Sequence, residues 1–136
     1  MLVSGENFGT GSSREAAAYA LLDSGIRVIL APSFGDIFAG NAINNGLLPA
    51  RIDAQKLNQL FDSSNGDSIN CEISLEECTV AITDQKIAFE LDETWRIKLM
   101  HGWDDIDLTL QHAEAVSRYR EQRVSDADWV MPNKTN

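Results

Sequence analysis

Two hydroxyls and a guanidinium stand side by side at Ser12, Ser13 and Arg14, directly after a stretch broken by Gly5, Gly9 and Gly11. Glycines permit positive φ and close backbone approach, so this stretch reads as a tight turn. Ahead of it, the apolar run Met1, Leu2, Val3 reads as a short buried strand. Behind it, the Ala- and Leu-rich segment 14–24 reads as a helix, with Ser12 or Ser13 as its natural N-cap. A strand, a glycine turn and a helix start bring unpaired N–H groups to one point, at the positive end of a helix dipole. Arg14 adds a fork that can hold a carboxylate through two parallel hydrogen bonds. Such a cluster suits an anion, with the N–H groups of Ser12, Ser13 and Arg14 bounding an open pocket. A purely structural tight turn is the alternative.

Other chemistries fit less well. Gly9-Thr10-Gly11 begins like a dinucleotide fingerprint, but Arg14 stands where the third glycine belongs. The next strand ends in Ala31-Pro32-Ser33, without an acid to hold a ribose. No Gly-Lys-Ser/Thr is present, which excludes a P-loop, and no Gly-x-Ser-x-Gly elbow points to a serine hydrolase. His101 and His112 could pair as acid and base; as residues at helix ends they have a simpler, structural reading. Trp95 and Trp103 read as core or interface anchors. Asp104, Asp105 and Asp107 could hold a hard cation, but they lack the glycine and terminal glutamate of an EF-hand, so a solvated face is the better reading.

The elements that must position the cluster follow from periodicity. The first helix stops at Gly25, a left-handed C′ residue, and 27–31 is a β-branched apolar strand bounded by Pro32. Ser33 can cap a helix over 34–44 with Phe34, Ile37 and Phe38 facing inward. A third extended stretch, 47–52, carries Pro49 and so belongs near a sheet edge. Asp53 then caps a helix lined by Leu57, Leu60 and Phe61, and 63–67 reads as a turn. From 68 to 91 the period drops to two (Ile69, Cys71, Ile73; Val80, Ile82; Ile87, Phe89, Leu91), with Asp84-Gln85 as a hairpin turn. Asp92 caps a helix to His101, with Trp95 and Leu99 four apart and Gly102 as the stop. A last helix over 111–123 presents Ala115, Val116 and Tyr119, and 124–136 is a loose arm. The expected fold class is α/β: parallel strands with helical crossovers, an antiparallel section and C-terminal helices.

With 136 residues the chain is one domain with one core, and 43% hydrophobic and 24% charged residues are ordinary for a globular protein. A net charge of −10 argues against nucleic acid or an anionic membrane as partner, so any anionic metabolite must be met by a local site such as Arg14. No apolar run has the length of a membrane span and no signal peptide is recognisable. Cys71 and Cys78 read as reduced core residues of a cytoplasmic protein; two cysteines do not make an iron–sulfur site, and no zinc spacing is present.

The segment Asn7-Phe8-Gly9-Thr10-Gly11-Ser12-Ser13-Arg14-Glu15 closely resembles the swivelling domain of the aconitase superfamily (β/β/α). In order follow Ile29-Leu30-Ala31-Pro32-Ser33-Phe34-Gly35-Asp36-Ile37-Phe38, Asn45-Gly46-Leu47-Leu48-Pro49 and Asp104-Asp105-Ile106-Asp107-Leu108-Thr109-Leu110-Gln111-His112. The last resembles the signature of one branch, the bacterial small subunits of 3-isopropylmalate dehydratase (isopropylmalate isomerase), hydro-lyases of leucine biosynthesis. The resemblance implies a swivelling domain over 1–123 and a tail over 124–136. It implies that Ser12 is the base that moves a substrate proton and that Ser13 and Arg14 hold a carboxylate of a small dicarboxylate. It implies that this chain binds no cofactor itself and is inactive alone. Its partner, in a heterodimer or heterotetramer, would be a large subunit whose [4Fe–4S] cluster acts as a Lewis acid on the substrate hydroxyl.

Two departures stand out: Ala16 where the family usually has His, and Thr10 where it often has Cys. Members of the family also carry a longer stretch before the active-site strand, including a loop that selects the substrate side chain. A strand at 1–3 without that cover is expected to expose apolar surface and to self-associate, most simply as a homodimer. A truncated, non-catalytic swivelling domain that serves as an interaction or anion-binding module is the alternative function.

Overall fold

A computed structural model of the chain describes residues 1–64, 70–82, 85–127 and 129. Its elements, in order, are β1 (Leu2–Val3), α1 (Ala16–Asp23), β2 (Val28–Ala31), α2 (Asp36–Asn44), β3 (Leu48–Arg51) and α3 (Ala54–Ser64). They are followed by β4 (Cys71–Ser74), β5 (Thr79–Ile82), β6 (Gln85–Ala88), α4 (Glu93–His101), α5 (Asp105–Leu110) and α6 (Ala113–Asp126). The chain divides into two compact units, Met1–Trp103 and Asp104–Asn136.

In the first unit β1, β2 and β3 form a parallel sheet in that order, with Leu2 opposite Ile29 and Ala31 opposite Arg51. The central strand β2 is apolar on both faces because both are covered. Side chains alternate across a strand, so Leu30 faces one way and Ile29 and Ala31 the other. Leu30 joins Leu48, Ala50, Leu57, Leu60, Val80, Ile87 and Phe89 beneath α3 and the antiparallel strands. Ile29 and Ala31 join Ala18, Phe34, Phe38 and Ala42 beneath α1 and α2. The strands β4, β5 and β6 form the antiparallel meander expected from the period of two. Pro49 lies on β3, an edge strand, where its missing N–H costs no ladder bond.

Two helices hand the chain to the next strand through the same turn. After α1, Gly25 (φ +81°) donates to the carbonyl of Leu22 and Ile26 to that of Leu21. After α2, Gly46 (φ +74°) donates to the carbonyl of Ile43 and Leu47 to that of Ala42. Both are Schellman motifs, which the glycines make possible.

Several boundaries differ from expectation. Helix α1 begins at Ala16 rather than at Arg14, its cap position is Glu15, and no side chain caps it, neither Ser12 nor Ser13. Helix α2 begins at Asp36 after Gly35, and Ser33 does not cap it; Ile37 points outward at 59% exposure, while Phe34 and Phe38 are buried. Asp53 and Asp92 do cap α3 and α4, each accepting from two backbone N–H groups, and Gly102 ends α4 in the left-handed region. Of the turn expected at 63–67, residues 63 and 64 belong to α3 and the rest lies outside the described residues, as do Ile69, Asp84, the side chain of Phe61 and most of the tail beyond Asp126. A hairpin nevertheless joins β5 to β6, since Ile82 pairs with Gln85.

The second unit holds α5, absent from the sequence reading, and α6, which runs past residue 123 to Asp126. The acids that open it are structural. Asp104 accepts from the N–H groups of Ile106 (2.8 Å) and Asp107 (2.9 Å), and Asp107 accepts from the N–H of Asp104 (3.0 Å), a reciprocal capping box.

Candidate functional site

The loop between β1 and α1 lies at the carboxyl ends of the parallel strands, where open α/β sheets place their ligand sites. It is clasped to the loop that follows β2. The N–H of Phe8 donates to the carbonyl of Ser33 (3.0 Å) and the N–H of Gly35 to that of Phe8 (2.9 Å), extending the parallel pairing by one bridge. Asn7 takes a positive φ of 58°, and its N–H donates to Ser33 Oγ at 2.7 Å while the Ser33 hydroxyl donates to Asn7 Oδ1 at 3.3 Å. Ser33 is therefore the clasp of this loop.

Two glycines let the loops close. A Cβ on Gly9 (φ +79°) would stand 2.2 Å from Phe38 Cγ, and one on Gly35 would stand 2.9 Å from Thr10 Cα. Phe8 sets its ring edge-on against Phe34 and Phe38, with centroids 6.3 and 5.2 Å away, so the start of the loop is bolted to the core.

Within this frame the three sequence-predicted residues differ. Ser12 is half-buried; its N–H donates to the carbonyl of Gly9 (3.1 Å), and its Oγ accepts from the N–H of Arg14 and donates to the carbonyl of Arg14, both at 3.3 Å. Ser13 is exposed and makes no hydrogen bond among the described residues. Arg14 is exposed, and its guanidinium makes no ion pair among the described residues. Ser12 and Ser13 line a depression of about 390 Å³ together with Gly9, Thr10, Gly35, Asp36 and Phe38, whereas Arg14 stands outside its lining. Two of the three N–H groups expected to face an anion are thus spent inside the loop, and that of Ser13 is open. Asp36 puts a carboxylate on the same wall, so an anion seated there must be favoured by the loop and Arg14 against it.

A larger depression of about 700 Å³ adjoins this one through Phe34 and Asp36 and includes Arg51, Glu90, Leu91 and Trp95. His101 ends α4 and stacks on Trp103 at 4.5 Å, a structural contact, and it takes no part in the hydrogen bonds of the loop. His112 belongs to the second unit, where it precedes α6. Cys71 and Cys78 are free and half-buried, at opposite ends of the hairpin of β4 and β5. Among the described residues no group of three or more His, Cys, Asp or Glu side chains could hold a metal ion, so these residues do not fit an iron–sulfur cluster. No helix among them is long and apolar enough to cross a membrane.

The aconitase C-terminal domain family matches residues 1–55, which span β1 to the start of α3 and contain the whole loop. The chain is 45% identical over 122 residues to the 3-isopropylmalate dehydratase small subunit of Lactococcus lactis, covering 90% of this chain and 63% of that protein. It is likewise 45% identical over 124 residues to that of Shewanella oneidensis, covering 90% and 62%. The crystal structure of 3-isopropylmalate dehydratase from Methanocaldococcus jannaschii superposes with a TM-score of 0.63 at 33% identity, over 85% of this chain and 66% of that one. The chain is thus similar to these small subunits along nine tenths of its length, and its first 55 residues match the aconitase C-terminal domain family. It spans between 62% and 66% of the length of the relatives it matches. Within this aconitase-type swivelling domain, the clasp through Ser33 and Asn7 is the part that sequence reasoning missed; no periodicity marks it.

Proposed function

We propose that this chain is the small-subunit part of a hydro-lyase that interconverts 2-isopropylmalate and 3-isopropylmalate by loss and return of water. The similarity over 90% of the chain to dehydratase small subunits carries this reading. In it Ser12 is the base, Ser13 and Arg14 hold a substrate carboxylate, and a large subunit completes the site. The [4Fe–4S] cluster would belong to that large subunit and supply a Lewis acid for the departing hydroxyl.

What this chain contributes can be reasoned from its own atoms. A serine hydroxyl is a weak base unless its alkoxide is stabilised. The N–H of Arg14 already points at Ser12 Oγ from 3.3 Å, a long contact for the neutral hydroxyl that shortens and strengthens when the oxygen carries charge. Ser13, with N–H and hydroxyl both open, suits a carboxylate oxygen, and the free fork of Arg14 suits the same group. Ser12 is held to the turn at its N–H, so its oxygen is placed before substrate arrives.

The test mixes the chain with a relative's large subunit and follows the conversion. The chain alone is expected to be inactive and the mixture active. Ser12→Ala should lose turnover by about a hundredfold or more while assembly by size-exclusion is unchanged. Arg14→Lys, which keeps the charge and loses the fork, should mainly raise KM. Robust turnover with Ser12→Ala would place the base elsewhere, and an inactive wild-type mixture that assembles would end the dehydratase reading.

A further inference from the structure

The loop is latched at its far end by Ser33, but at the Arg14 end α1 starts without a side-chain cap. The long-range contact there comes from the end of α2. Asn45 is half-buried at the C-cap of α2, and its Nδ2 spends both hydrogens: one on Glu15 Oε1 at 2.8 Å, one on the carbonyl of Asn41 at 2.8 Å. Glu15 follows Arg14 directly, and its own carbonyl accepts from the N–H groups of Ala18 and Tyr19. The side chain of Glu15 is thus tied to α2 while its backbone opens α1.

That tie has an electrostatic consequence. Glu15 is the carboxylate nearest to Arg14 in sequence, and a free one would compete with any anionic ligand for the guanidinium. In the structure it accepts instead from the amide of Asn45, and its charge raises the pKa of Tyr19 nearby. Arg14 is left without an ion pair among the described residues.

We propose that Asn45 is a positioning residue for Arg14: by holding the Glu15 carboxylate against α2 it fixes the first turn of α1 and keeps the guanidinium open for substrate. The inference rests on the reading of Arg14 as the carboxylate-binding residue. With Glu15 in place only a donor at position 45 can do this, since an acid there repels it.

The experiment uses Asn45→Asp, Asn45→Ala and a polarity swap that combines Glu15→Gln with Asn45→Asp. In the swap the amide introduced at position 15 donates to the carboxylate introduced at position 45. On the chain alone, NMR relaxation at Arg14 Nε and amide exchange over 13–17 report the positioning directly. In the assembled enzyme, Asn45→Asp and Asn45→Ala should raise KM for 2-isopropylmalate by about threefold to tenfold with kcat within about twofold. The swap should restore KM, order and protection. A merely structural role would lower the folded fraction without changing KM. Unchanged Arg14 Nε order in both single variants, or a swap that restores nothing, overturns the proposal. An inactive wild-type assembly would sink the dehydratase reading instead, and the Arg14 measurements on the chain alone would still decide this one.

Discussion

Gly9→Ala separates two costs that the fold has placed on one residue. The first is conformational: at φ +79° an L-residue sits in the left-handed region, at a cost of about 1–2 kcal/mol. The second is steric. The new methyl would lie 2.2 Å from Phe38 Cγ and 2.6 Å from its Cβ. Phe38 is 2% exposed and held edge-on by Phe8, so it has no room to swing, and overpacking of this kind costs about 1–3 kcal/mol. Together the loss is about 2–5 kcal/mol, a large share of a domain's stability. Two controls apportion it. Gly25 has the same conformational problem (φ +81°) but open space around its Cβ, so Gly25→Ala should cost only the first part. Gly5 has open space and no positive φ, so Gly5→Ala should stay within about 0.5 kcal/mol of wild type. Urea unfolding followed by tryptophan fluorescence, to which Trp95 beside the cluster containing Phe38 contributes, reads all three. At an m-value of about 2 kcal/mol/M the Gly9→Ala midpoint should fall by about 1–2.5 M. A midpoint equal to that of Gly25→Ala would show that Phe38 yields and that the loop is not wedged against the core as argued.

Removing the clasp with Ser33→Ala leaves the Asn7 N–H without its acceptor; a loss of about 1–2 kcal/mol and faster amide exchange at Asn7 are expected. Unchanged exchange there would mean that the strained Asn7 backbone holds itself. Glu77 is held below the ordinary carboxylate pKa of 4.5 by its hydrogen bond and ion pair with Lys86, and Glu93 likewise by Arg96. A depressed folded-state pKa contributes stability that is full above 4.5 and is lost as pH falls through the lowered value. Glu77→Gln should therefore narrow the difference in Tm between about pH 6 and about pH 3, and an unchanged difference would show that solvent screens the pair completely.

Much of the fold was legible because it follows from local rules that one sequence displays. The apolar run of β2 declares a strand buried on both faces, and the alternation around Val80 and Ile82 declares the meander. Gly25, Gly46 and Gly102 mark helix ends, and Asp53 and Asp92 mark helix starts. Where the reading fell short, a side chain had two uses, and the choice was made by tertiary structure at Ser33 and by another local hydrogen bond at Ser12 and Asp104. Ser33 precedes a helix and looks like its cap, but the loop from β1 comes alongside and takes the hydroxyl for Asn7, twenty-six residues away. Ser12 was legible as a hydroxyl at a turn, not as one folded back on Arg14. Asp104 and Asp105 are exposed, as a charged face should be, and what the sequence did not declare is the capping box between Asp104 and Asp107.

The same distinction explains how the site is built. The half of the loop nearest β1 is fixed by backbone bridges, by Gly9 against Phe38 and by the Ser33 hydroxyl, all of which demand particular residues at particular places. The half nearest α1 carries Ser13 and Arg14 exposed, with the Ser12 oxygen and the Asn45 amide as its restraints. Burial therefore falls off along the loop, from a half-buried ring at Phe8 to an exposed guanidinium at Arg14. A base needs the fixed end, because proton transfer tolerates little error in distance, and a carboxylate clamp tolerates the freer one. Ser12 stands where the fixed half ends, and Arg14 where the open half begins. In the proposed reading a base at Ser12 and a clamp at Arg14 would use this difference, while Ser33 to Asn7 and Asn45 to Glu15 tie the two ends of the loop.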